Sequence, residues 1–185
     1  LSLDNSWISQ GIHREVEGSL TRLKVDKLYG VLVHDTDQLF SKIGQFIYQS
    51  LIDLKEQGYI TKVGVSIYSP DQLPSLISQF PIDIVQCPMN IFDTRMQDSG
   101  WLERLSANNI EIHVRSIFLQ GLLLMNASDR PTNLASYKRL WSVWDDWLLE
   151  NKISSLDACL RWALNIPEIN RIVIGVENCA QLERI

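Results

Sequence analysis

Apolar positions along the chain alternate between two spacings. Ile8, Ile12, Val16, Leu20 and Leu23 recur at helical intervals behind the cap candidates Asp4, Asn5 and Ser6, which predicts a helix with one buried stripe. Residues 27–34 read as a strand, and a second helix is expected from about Asp37 to Gln57. Leu39, Ile43, Phe46, Leu51 and Leu54 face inward on that helix, and Gly58 is placed to end it in a left-handed conformation. "ITKVGVSIY" is rich in β-branched residues and reads as a strand ending near Ser66. Ser69-Pro70-Asp71-Gln72 then holds the ingredients of a capping box for a helix running to about Phe80. "IDIVQCP" is a third strand, residues 98–108 a short helix showing Trp101, Leu102 and Leu105, and "IEIHVRSI" a fourth strand. A polar loop through Asp129, Arg130 and Pro131 leads to a helix from about Asn133 to Asn151. Ser154-Ser155-Leu156-Asp157 caps another helix, and "INRIVIGV" forms a fifth strand.

Strands separated by helices pair in parallel through right-handed crossovers, since a tight hairpin cannot occupy so much sequence. Runs such as Val31-Leu32-Val33 and Ile82-Asp83-Ile84-Val85 are apolar with few interruptions, as strands covered on both faces should be. The pattern fits an α/β fold, either an open doubly wound sheet or a TIM-type barrel. No linker or low-complexity stretch divides residues 1–185, so a single domain is expected.

Composition narrows the choice of partners. The formal net charge is -5, with no cluster of Lys and Arg, which speaks against a nucleic-acid or anionic membrane surface and leaves a small molecule. Three scattered cysteines without a CxxC or a histidine pair give neither a disulfide framework nor a metal site, and fit a reducing cytoplasm. No apolar stretch approaches bilayer length, and the first residues lack the pattern of a secretion signal. Asn126-Ala127-Ser128 is then a chance match to a glycosylation acceptor.

His34, Ser66, Gln86, Ser116 and Gly175 each fall at or beside the C-terminal limit of an expected strand, and in parallel α/β proteins those limits share the ligand-binding face. Each has an ordinary structural reading too, as a cap, a turn former or a bonded core polar group. Together they mark a rim. Trp141, Trp144 and Trp147 read as core packing along one helix, Asp145 and Asp146 as solvated charge, and His13 and His113 have no ligand rationale.

The order of these motifs resembles the aldo-keto reductases, NADP(H)-dependent enzymes built on a TIM barrel. "REVEGSLTRLKVDKLYGVLVH" is similar to that family's approach to its fourth strand, "LKEQGYITKVGVS" to the fifth, and "DIVQCPMN" to the sixth. "RSIFLQGLL" is similar to the seventh-strand signature, and "ACLRWALNIPEINRIVIGVENCAQL" to the last helix, strand and phosphate loop. The resemblance implies that His34 is the catalytic histidine that orients the substrate carbonyl. It also implies that Ser66 and Gln86 bond the nicotinamide carboxamide, that Arg115 and Ser116 flank the ring, and that Gly175 and Gln181 hold the adenosine phosphate end. The chain would then be a partial barrel lacking the first three strands, part of an NADPH-dependent carbonyl reductase acting on an aldehyde or ketone.

Departures qualify this. Ile67 stands where the family usually has a polar residue, Ile117 replaces a usual proline, and Glu177 takes a place often held by serine, where a carboxylate repels a 2′-phosphate. NADP is therefore expected, with NAD open. The family's proton-donating tyrosine, with its lysine and aspartate, belongs to the first three strands. Neither Tyr29 nor Tyr68 has a lysine expected beside it, so the chain alone is expected to be inactive. The alternative is a cofactor-binding regulatory barrel without significant turnover. Two unpaired strand edges should promote association of the isolated 185 residues, into an oligomer or an aggregate; a cooperative, monomeric thermal transition would contradict that.

Overall fold

The computed structural model describes residues 6–185, so the caps expected at Asp4 and Asn5 lie outside the described residues. The first elements are α1 (Ser6–Leu23), β1 (Leu28–Val33), α2 (Gly44–Glu56), β2 (Ile60–Ser66), α3 (Leu73–Gln79) and β3 (Ile84–Pro88). There follow α4 (Arg95–Asp98), α5 (Trp101–Ala107), β4 (Glu111–Arg115), α6 (Lys138–Asn151), α7 (Ser155–Leu164), β5 (Ile169–Ile172) and α8 (Cys179–Glu183). Three local signals act as the sequence predicts. Gly58 ends α2 at φ 86°, Ser69 and Gln72 form a full capping box, and Ser154 caps α7 by accepting from the Asp157 amide at 3.1 Å.

The sheet has all five strands parallel, in the order β1-β2-β3-β4-β5. A doubly wound sheet must reverse its strand order at a switch point, and this one never does. It is singly wound in the manner of a barrel. Alternation puts Val63, Val65, Val85, Cys87, Ile112 and Val114 on the helix-covered face, where all are buried. The opposite face carries Lys62, Ser66, Gln86, Glu111, His113 and Arg115.

That second face is concave, and one hydrogen bond crosses it. Tyr29 of β1 donates from its hydroxyl to Glu111 Oε1 of β4 at 2.6 Å, across 82 residues of sequence. Three inter-strand steps of about 4.8 Å would hold those strands some 14 Å apart in a flat sheet, the limit that two fully extended side chains can bridge, and a curl brings them within easy reach. Glu111 also accepts from Lys62 Nζ at 2.5 Å and contacts His113 Nε2 at 3.1 Å. Arg171 of β5 lies 4.4 Å from the Tyr29 ring centroid. Ile84 fills the space beside this cluster because Gly30 and Gly64 have no side chains; a Cβ on Gly64 would lie 2.4 Å from the Ile84 carbonyl oxygen.

Several elements are shorter or more broken than the sequence suggests. The expected helix from Asp37 splits into a 3₁₀ turn over Thr36–Phe40 and α2. Ser41 separates them: its backbone is extended, and its hydroxyl donates to the Gln38 carbonyl and accepts from the Ile43 amide, competing with helical bonding. The helix expected over 98–108 is α5, which starts at Trp101 after Gly100 at φ 70°, and a separate single turn, α4, precedes it. The helix expected from Asn133 begins as a 3₁₀ turn over Thr132–Tyr137 before α6. β5 stops at Ile172, short of the expected run.

Burial alone would push the Glu111 carboxyl up, but hydrogen bonds from Lys62, Tyr29 and His113 outweigh it and hold the group at about 2. A depressed carboxylate stabilises the fold above its ordinary value of 4.5 and loses that contribution as pH falls toward 2. The wild-type chain is expected to lose urea stability steadily over that window, and Glu111→Gln to be less stable at neutral pH with a flatter acid limb. Parallel acid limbs for the two proteins would show that the carboxylate does not brace the curl.

Candidate functional site

The curl brings the strand ends onto one arc. His34 follows β1 directly, and its Nε2 lies 3.3 Å from the hydroxyl of Tyr68, with the two rings edge-on at 6.0 Å. The Arg115 guanidinium at the end of β4 covers the other side, 4.8 Å from the Tyr68 ring centroid. Arg115 donates to the Ile67 carbonyl at 3.1 Å and to Ser116 Oγ at 3.5 Å. His34, Tyr68, Arg115 and Ser116 thus form a continuous polar chain from the first strand to the fourth.

Ser66 and Gln86 stand side by side in register on the concave face. Gln86 sits mid-strand and not at the limit of β3 as expected; the stagger between strands still sets it level with the last residue of β2. The Ser66 hydroxyl is buried with no hydrogen-bond partner. A buried hydroxyl without a partner is costly, and a ligand amide at this position would satisfy it.

Arg115, Ser116, Gly175 and Gln181 line a cleft of about 850 Å³ toward the β5 edge. Gly175 is open above, with no atom within 4 Å of where a Cβ would stand. Gln181 belongs to the short helix α8 and not to a loop. Its side-chain oxygen accepts from the Glu177 amide at 2.8 Å, and its own amide donates to Asn178 Oδ1 at 2.9 Å. Glu177 and Arg184 also line the cleft, so one carboxylate and a second cation face the same space. His34 joins this cleft only through Tyr68 and Arg115, because β1 and β5 are opposite edges of the sheet.

The segment after β4 is held in an uncommon conformation. Ser116, Leu119 and Gln120 have φ of 62°, 47° and 54°, left-handed values that disfavour side chains. Asn90, 1% exposed, anchors it by donating from Nδ2 to the Ser116 carbonyl at 3.3 Å. Sequence reasoning passed over Asn90 although it ends the "DIVQCPMN" stretch, passed over Arg184, which carries no local signal, and weighed Tyr68 only as a proton donor. Its expectation about the tyrosines is corrected too: Lys62 Nζ lies 5.4 Å from the Tyr29 ring, brought there by the curl. That pair stands at the N-terminal end of β1, away from the rim. Asp145, expected to be solvated, receives a two-pronged ion pair from Arg130, 2.7 Å on one oxygen.

The family model described as "Aldo/keto reductase family" matches residues 4–185. The chain belongs to the aldo/keto reductase family. Among curated proteins, the aldo-keto reductase YhdN of Bacillus subtilis is 32% identical over 121 residues, 65% of this chain and 36% of YhdN. Among solved structures, the apo form of an aldo-keto reductase from Bacillus halodurans superposes with TM-score 0.72 at 17% identity, over 95% of this chain and 61% of that one. A glycerol dehydrogenase from Gluconobacter oxydans does so with TM-score 0.66 at 21% identity, over 95% and 62%. The chain therefore spans between 36% and 62% of the length of these proteins. Among the described residues, no helix is long and apolar enough to cross a membrane.

Asn90 and the left-handed segment should respond oppositely to substitution. Asn90→Ala is expected to lower stability by about 1–3 kcal/mol, by leaving a buried carbonyl without its donor. Gln120→Gly is expected to raise it by up to about 1 kcal/mol by relieving the left-handed strain. Thermal melts of both variants check this, and equal effects would remove strain from the account.

Proposed function

We propose that this chain supplies the cofactor-holding part of an NAD(P)H-dependent oxidoreductase that interconverts aldehydes or ketones with alcohols. The observation that carries the reading is the buried, unpartnered Ser66 hydroxyl, level with Gln86 and flanked by the polar chain from His34 to Ser116. Ser66 and Gln86 would bond a nicotinamide carboxamide, Arg115 and Ser116 would flank its ring, and Gly175, Gln181 and Arg184 would hold the phosphates in the 850 Å³ cleft. A bound nicotinamide cofactor supplies the hydride.

The chain's own residues prepare the carbonyl. A ring N–H of His34 donated to the substrate oxygen would stabilise the negative charge that grows there during reduction. Tyr68, 3.3 Å from His34 Nε2, fixes the orientation of the imidazole. Arg115 over the Tyr68 ring keeps that phenol in place. NADP is the preferred cofactor in this reading because Arg184 offers a cation at the phosphate end of the cleft, while Glu177 moderates the preference.

Fluorescence titration with NADPH and NADH tests the reading. Saturable NADPH binding is expected, weakened by Ser66→Val. Glu177→Ser should strengthen NADPH binding about fivefold while leaving NADH unchanged, since a like charge near 4 Å in water costs about 1 kcal/mol. In a protein carrying this chain whole, His34→Ala should lower kcat by about 10²–10³ with a smaller change in KM. Absence of any nicotinamide binding would overturn the proposal.

A further inference from the structure

The tryptophan stripe of α6 does not end as core packing. Trp141 and Trp144 are buried at 7% and 4% exposure, but Trp147 is 44% exposed, beside Val143 at 61% and Leu140 at 41%. The Trp144 and Trp147 rings lie parallel, 5.9 Å apart at 9°, and Phe92 meets Trp144 edge-on at 6.0 Å. Trp144 is pinned from behind, its indole N–H donating to the Leu123 carbonyl at 3.3 Å. These side chains line an open groove of about 510 Å³ between α6 and α7, sharing no lining residue with the rim cleft. Small-molecule sites occupy roughly 300–1,000 Å³ with apolar walls and a few polar groups that fix orientation.

Arg161 of α7 is the one charged side chain lining the pocket. Among the described residues it makes no ion pair or side-chain hydrogen bond, and the nearby acid of its own helix, Asp157, is occupied by Ser154. We propose that this pocket binds an amphiphilic carboxylate, a flat apolar body of one or two rings bearing a single anionic head. The parallel indoles offer a flat wall to the ring, and the planar Arg161 fork matches a carboxylate. Arg161 is solvent-exposed at the pocket mouth, so charge complementarity selects this occupant by attraction: it is the one cation on an otherwise apolar wall.

Isothermal titration of the chain with 2-naphthoate, and with its neutral isostere 2-naphthamide, tests the proposal. Saturable one-to-one binding of naphthoate is expected, undiminished by saturating NADPH. Arg161→Gln should weaken naphthoate roughly tenfold, the loss of one charged hydrogen bond, and leave naphthamide unchanged. Trp147→Ala should weaken both ligands. Circular dichroism and sedimentation of each variant establish that fold and assembly state are retained. The proposal is overturned by a lack of saturable naphthoate binding, by an Arg161→Gln variant that binds it as the wild type does, or by displacement with NADPH. It is equally overturned if Trp147→Ala dissolves a dimer whose formation blocks naphthoate, since the face is then a subunit interface.

Discussion

The Glu111 carboxylate holds the first, second and fourth strands to a single curve. Parallel strands in chain order form a barrel segment only when the sheet curls, and a curl needs cross-strand contacts on its inner face. Here the inner contacts are ionic and hydrogen-bonded: Tyr29, Lys62 and His113 converge on one carboxylate, with Arg171 against the tyrosine ring. Such a cluster tolerates burial because its acceptors are matched by donors, whereas removal of one member would strand the others. Ile84 over Gly30 and Gly64 supplies the apolar counterpart, letting the inner face close tightly where the strands bend.

The rim follows from that curve. A flat sheet would string His34, Ser66, Arg115 and Gly175 along a line; bending it turns the strand ends toward a common centre. Precision is then added locally. Tyr68 bridges His34 to Arg115, Asn90 fixes the carbonyl of Ser116, and the left-handed segment after β4 carries its backbone past the cleft. The strain in that segment persists because the surrounding core is well packed: Met89, Ile117 and Leu123 beside it are all nearly inaccessible.

Much of this was legible in the chain. Nearly continuous apolar and β-branched runs marked the strands, and Gly58, Ser69 and Ser154 marked helix boundaries by chemistry that acts within a few residues. Sequence failed where the deciding contact is distant or competitive. Ser41 breaks a helix because its hydroxyl wins against the backbone ladder, a contest that periodicity does not register. The Tyr29 and Glu111 pairing joins residues 82 apart and comes within easy reach only once the sheet has curled. Asp145 reads as surface charge until the loop brings Arg130 onto it, and Trp147 reads as core until the neighbouring helix leaves its face open. The position of His34, Ser66 and Ser116 beside the strand ends was legible, because strand ends are where a parallel fold must expose polar groups.

The central claim is convergence: side chains from the first, second, third and fourth strands and the segment beyond the fifth serve one ligand. Titration of the isotopically labelled chain with NADPH, followed by amide chemical shifts, measures this directly. The account predicts that His34, Ser66, Gln86, Ser116 and Gly175 shift together along a single binding curve with one Kd. Shifts confined to the Gly175 end, or separate curves for His34 and Ser116, would contradict it.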